Sequence, residues 1–145
     1  MPKLLLYVCP KLYCVLYKMP ATTEHAASFR SASTEDYLKA IFSLTVSSES
    51  GASTNDLAEK LGISAGSVSA MIKRLDEDGL VEHVPYRGAR LTVEGERVAL
   101  RVLRRHRLLE LYLTEELGVP WNRVHEEAEV LEHAISDDLI DRIAT

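Results

Sequence analysis

The sequence predicts a mostly α-helical chain with a small β-wing: a winged helix-turn-helix domain followed by a second helical domain. Three observations predict it. Two short helical patterns meet at a glycine-bearing turn, Gly62-Ile63-Ser64. Two β-prone segments flanking Pro85-Tyr86-Arg87-Gly88 follow directly. A long helical pattern with a His- and Glu-rich sequel occupies the remainder.

The regular pattern begins at Thr34. Ser33 or Thr34 can cap a helix, Glu35 and Asp36 suit its positive end, and Tyr37, Leu38, Ile41, Phe42 and Leu44 recur at helical spacing. Ser47–Ala52 is polar and carries Gly51, which predicts a loop. Ser53 or Thr54 caps a second helix over Asn55–Leu61, ended by Gly62. The third helix carries Val68, Met71, Ile72 and Leu75 and stops at Gly79. Leu80–Val84 and Ala89–Thr92 then read as the strands of a hairpin, with Gly88 supplying a positive φ in the turn.

A long helix starts at Glu94 or Glu96 and continues to about Glu116, with Gly118, Pro120 and Trp121 as its breakers. Another runs from about Asn122 through His133. Ser136, Asp137 and Asp138 cap a last short helix from Leu139 onward. The domain reading is therefore 1–33 as an extension outside the core fold, 34–93 as the winged helix and 94–145 as the helical domain.

In residues 1–18, Pro10 and Lys11 interrupt the apolar run that a secretory signal needs, and Met19 opens a polar segment that reads like the start of a soluble protein. Cys9 and Cys14 lack a ligand-spaced histidine or a second pair, which argues against a disulfide framework or a zinc site and fits a cytoplasmic setting. No stretch reaches the roughly 20 apolar residues of a membrane span.

The net charge of −5 runs against nucleic-acid binding until its distribution is considered. Residues 1–33 carry four basic and one acidic side chain, 34–92 six and nine, and 93–145 seven and twelve. The acidic surplus is thus heaviest in the second helical domain. In a helix-turn-helix the N-terminal residues of the second helix reach base edges in the major groove. Here they are Ser64, Gly66, Ser67, Ser69 and Ala70, small enough for close approach, with Lys73 a turn later as a phosphate partner. Arg87 at the wing tip, with Arg90 beside it, suits the backbone or the minor groove. The same pattern also fits a protein-binding winged helix.

The segment His125-Glu126-Glu127-Ala128-Glu129-Val130-Leu131-Glu132-His133 places His125, Glu129, Glu132 and His133 on one face of a helix. Acceptors so close repel one another unless a cation neutralises them. On the preceding helix His106 and Glu110 are likewise four apart. The competing reading is a solvated charged face, which would leave a metal-independent winged-helix regulator. Two metalloenzyme patterns fail on their letters: H-E-x-x-H requires histidine where Glu129 stands, and a di-iron bundle requires paired Glu-x-x-His. Imidazole and carboxylate donors suit Mn, Fe, Co, Ni or Zn, and no thiolate draws the choice toward softer ions.

Five stretches together resemble the diphtheria-toxin-repressor family of iron- and manganese-dependent regulators, most closely its manganese transport regulator branch. They are TEDYLKAIFSL, AEKLGISAGSVSAMIKRLDEDGLVEH, YRGARLTVEG, RRHRLLELYL and VHEEAEVLEHAISDDLIDRI, within Thr34–Ile143. The resemblance implies a repressor that binds operator DNA as a homodimer when loaded with metal, and a helical domain that serves dimerisation. It implies a principal metal site of Asp36, His106, Glu129, Glu132 and His133, and a second drawing on His106, Glu110 and His125. Iron-responsive members have methionine at the place of Asp36 and cysteine at that of Glu129. Oxygen donors at both places favour Mn2+ first and Fe2+ second. Lys39 stands where two-ion manganese regulators carry a carboxylate, and an ammonium there disfavours a second cation beside the first. Relatives of this type continue beyond the position of Thr145.

Overall fold

The computed structural model describes residues 31–46 and 50–145; the expectations for residues 1–30 and the middle of the 47–52 loop lie outside the described residues. Among the described residues six helices and two strands follow one another: α1 (Ala32–Thr45), α2 (Thr54–Leu61), α3 (Ala65–Glu77), β1 (Val81–Val84), β2 (Gly88–Leu91), α4 (Val93–Glu115), α5 (Trp121–Leu131) and α6 (Asp137–Ile143). The described residues up to Val102 form one compact unit and Leu103–Thr145 lie in a second, so the division falls inside α4.

In the first unit, α1 buries Tyr37, Leu38, Ile41 and Phe42, the apolar face that the spacing predicts. Its cap differs from the expected one. Ser31 accepts from the Thr34 amide at 3.3 Å, and the Ser31 and Thr34 hydroxyls are 3.1 Å apart. Thr34 is thereby a buried residue of the first turn. Ser53 caps α2, and Gly62 closes it with φ +67. Helix α3 buries Val68, Ile72 and Leu75 and so docks its apolar side inward.

The strands pair antiparallel, with Val81 opposite Leu91 and Val84 opposite Gly88. Ala52 adds an isolated bridge to Ala89, its amide and carbonyl each 2.8 Å from their partners. Gly88 allows this approach, because a β-carbon there would collide with the Ala52 carbonyl oxygen. The turn at the wing tip closes by the Arg87 amide donating to the Val84 carbonyl at 3.0 Å. Gly88 has the expected positive φ of +80, but Tyr86 also has one, +65. A tyrosine therefore occupies the position that a turn with proline second usually gives to glycine or asparagine.

Thr92 starts α4, accepting from the Gly95 amide at 3.1 Å while its hydroxyl donates to the Gly79 carbonyl at 2.8 Å. Gly95 rests directly on the backbone of Leu80, where any side chain would strike the carbonyl.

In the second unit, Leu109 and Leu113 of α4 meet Val124 and Ala128 of α5 and Ile140 of α6, flanked by Leu108, Val119, Ile135 and Ile143. Each fully buried leucine or isoleucine in such a cluster contributes about 1.5–3 kcal/mol. Arg105 donates to Asp137 at 2.7 Å and Arg104 to Asp141 at 3.1 Å, fastening α6 along α4. Gly118 ends the long helix region with φ +66. Trp121, expected among the breakers, instead begins α5, because Pro120 in extended conformation holds the N-cap place. Helix α5 also stops earlier than expected, at Leu131. Glu132 is its C-cap and His133 lies in the following turn.

Candidate metal centre and nucleic-acid interface

The second unit assembles a cluster of ionisable groups around one imidazole. His106 projects from the middle of α4 into the space beside α5 and is buried, as are Glu110 and Glu132. Its Nδ1 lies 2.6 Å from Glu132 Oε2 and 3.7 Å from Glu129 Oε1. Its Nε2 lies 3.0 Å from Glu110 Oε1 and 3.0 Å from His125 Nδ1. The His125 Nδ1 is in turn 3.1 Å from Glu110 Oε1. His133 reaches the second oxygen of Glu132, Nε2 to Oε1, at 3.4 Å. Six of the predicted ligands, His106, Glu110, His125, Glu129, Glu132 and His133, are thus gathered within one unit. Asp36 lies half-buried on α1 of the other unit.

The electrostatics follow from this geometry. Burial by itself would push the His106 pKa down, but hydrogen bonds to Glu110 and Glu132 outweigh it and raise the value to about 9. Burial would likewise raise Glu110, yet its bonds to His106 and Arg107 bring it down to about 2. Arg107 contributes Nη1 at 2.7 Å from Glu110 Oε2, leaving Oε1 turned toward the two histidines. The sequence reading missed Arg107, although its spacing of three from Glu110 was the available signal.

Two carboxylates buried against a single imidazole form an arrangement suited to a cation. His106 Nε2, His125 Nδ1 and Glu110 Oε1 form a triangle with sides of 3.0, 3.1 and 3.0 Å. Adjacent donors around a small divalent ion with bonds of about 2.1 Å stand about 3 Å apart, so this triangle fits one. His106, His125 and Glu129 also offer ligand atoms all within 4.8 Å of one another. All donors are nitrogen or oxygen, which suits a borderline or hard divalent ion.

The first unit carries the residues predicted to meet DNA. Ser64, Gly66, Ser67, Ser69, Ala70 and Lys73 are all exposed, opposite the buried Val68, Ile72 and Leu75, and Arg87 and Arg90 are exposed on the wing. Ser64 has a structural task the sequence reading did not assign: it is the N-cap of α3. It accepts from the Ser67 amide at 3.2 Å, with the two hydroxyls 2.9 Å apart.

A capped, polar recognition helix beside a two-stranded wing, followed by a helical unit with a buried histidine–carboxylate cluster, defines the class of metal-responsive winged-helix regulators. Residues 30–89 match the family model described as the N-terminal DNA-binding domain of iron-dependent repressors. Residues 92–145 match the metal-binding and dimerisation domain of the same repressors. The HTH-type transcriptional regulator MntR of Lysinibacillus sphaericus is 38% identical over 112 residues, 77% of this chain and 79% of that protein. The chain belongs to the diphtheria-toxin-repressor family of metal-dependent transcriptional regulators.

Among solved structures, a manganese-dependent transcriptional repressor in complex with manganese is 50% identical at a TM-score of 0.69, over 76% of this chain and 50% of that one. The IdeR of T. acidophilum is 37% identical at a TM-score of 0.69, over 79% and 53%. The chain therefore spans about half the length of these solved relatives. No helix among the described residues is long and apolar enough to cross a membrane.

Proposed function

We propose that the protein is a cytoplasmic, metal-dependent transcriptional repressor that binds operator DNA as a homodimer when loaded with Mn2+, or second with Fe2+, and controls metal-homeostasis genes. The observation that carries this reading is His106, buried and engaged at both ring nitrogens by the carboxylates of Glu132 and Glu110, with His125 closing the donor triangle. His106, Glu110 and His125 would hold one ion. Glu129, Glu132, His133 and Asp36 are the further ligands we assign, Asp36 on the family resemblance alone. A bound ion supplies positive charge that neutralises the carboxylates, and so binds one conformation in preference and shifts the population toward it.

This chain's residues divide the remaining work. Ser64 caps α3, while Gly66, Ser67, Ser69 and Ala70 are assigned to the groove and Lys73 and Arg87 to phosphates. The manganese-bound neighbour and the MntR relative support Mn2+ as first choice, and the IdeR neighbour is compatible with iron as second. The relatives named are transcriptional regulators, and we assign no catalytic residue. The test is duplex-DNA binding measured across a manganese titration and again in chelator. Tight binding with manganese and at least tenfold weaker binding in chelator is expected. Equal affinity in both would establish a metal-independent winged-helix regulator instead.

A further inference from the structure

Tyr86 is out of place by the rules of local structure. It occupies the third position of the Val84–Arg87 turn with φ +65, a region that suits glycine and resists bulky side chains. It is also wholly exposed, at 108% of its reference area, so no packing within the chain compensates for the conformation. The hairpin below is held firmly, by the β1–β2 ladder and by the paired Ala52–Ala89 bonds that the close approach at Gly88 permits. The tip is therefore presented on a fixed base. The charged residue next to it at the tip is basic, Arg87, while further down the hairpin the exposed Glu82 and Arg90 stand opposite one another. A strained, exposed residue on a rigid support is where a contact with a partner is to be sought.

We propose that Tyr86 is a DNA-contact residue of the wing: its phenol hydroxyl donates to a phosphate at the edge of the minor groove, and its ring lies against the adjoining sugar. The positive φ holds the ring outward, ahead of Arg87. A phenol suits this place because it joins an apolar face to a hydrogen-bonding tip, and tyrosine is among the side chains that position proteins on the phosphate backbone. Such a contact carries no sequence information. It strengthens binding to every duplex alike. The assignment rests on the DNA-binding reading above.

The test uses the full chain with manganese, one duplex selected by it from a random-sequence pool, and one unselected duplex of equal length. Asparagine adopts positive φ readily, so Tyr86→Asn should melt at the same temperature as the parent or a few degrees higher. Its affinity should nonetheless fall roughly tenfold on both duplexes, with Tyr86→Phe falling about threefold. Lys73→Ala serves as the control for DNA binding through α3. Parental affinity in Tyr86→Asn while Lys73→Ala is weakened would overturn the proposal and leave the DNA-binding reading standing. A lowered melting temperature in Tyr86→Asn would also overturn it, by showing that the ring supports the wing. Failure of the parent protein to bind either duplex would overturn both.

Discussion

The recognition helix and the histidine–carboxylate cluster use polar residues in opposite ways. On α3, Gly66, Ser67, Ser69, Ala70 and Lys73 are exposed, and the structural burden falls on Val68, Ile72, Leu75 and the Ser64 cap. In the second unit the ionisable groups themselves are buried: His106, Glu110 and Glu132 lie inside, where each charge depends on the others. Exposed contact residues can be exchanged with little effect on folding. Buried charges tie stability and function together, because deleting one leaves its partners uncompensated.

The sharpest way to break this comparison is to remove the shared partner. His106→Ala should destabilise the protein by about 3 kcal/mol or more in urea unfolding, since the buried carboxylates of Glu132 and Glu110 would each lose a charge-assisted bond to the imidazole and Glu110 would keep only Arg107. It should also abolish the rise in melting temperature that manganese is expected to confer on the parent. A variant that keeps its manganese response would remove His106 from the site. Gly95→Ala tests the first unit at the same scale. The added methyl collides with the Leu80 carbonyl, and a loss of about 2 kcal/mol or more is expected with metal affinity per folded molecule unchanged.

The two units also differ in how readily their residues reveal themselves. Helices α1 to α3 were legible from their apolar spacing, and for α2 the Ser53 cap and Gly62 agreed with it; the Ser31 and Ser64 caps of α1 and α3 were not read from the sequence. The pairing of His106 with Glu110 was legible from their spacing of four, but its contact with Glu132 was not, since that bond joins residues 26 apart in sequence. The end of α5 was missed for a related reason. Glu132 and His133 continue a helical letter pattern, yet the chain turns there and brings Ile135 and Ile140 onto Leu109, Leu113 and Val124. Tyr86 was hidden by Gly88, which satisfied the expectation of a positive φ two residues away.

Acidity should move stability and metal binding in opposite directions. The His106 pKa is raised to about 9, so its stabilising bonds are fully present below its ordinary value near 6.5 and are lost as pH rises through 9. Glu110 is lowered to about 2, so its contribution is present above its ordinary value of 4.5 and is lost as pH falls through 2. In chelator this pair should therefore stabilise most between about pH 4.5 and 6.5. Manganese must displace the His106 proton, so its affinity should rise about tenfold per pH unit toward 9 if one proton leaves per ion. Titrations at pH 6, 7 and 8 would check this, and a flat profile would place the ion away from His106.

The smallest expected effect belongs to the exposed side of the comparison. Lys73 is an exposed ammonium one turn beyond the α3 residues we assign to the groove, and its contribution to folding should be near zero. A single phosphate contact is worth a few-fold in affinity at moderate salt and adds about one unit to the slope of log affinity against log salt. Lys73→Ala should thus melt like the parent, respond to manganese like the parent, and bind selected and unselected duplexes equally more weakly, with a shallower salt dependence. A loss confined to one base pair of the selected duplex would make Lys73 a reader of sequence. A change in its manganese response would mean that the α3 surface and the buried cluster are not separable, and the contrast between the two regions would fail there.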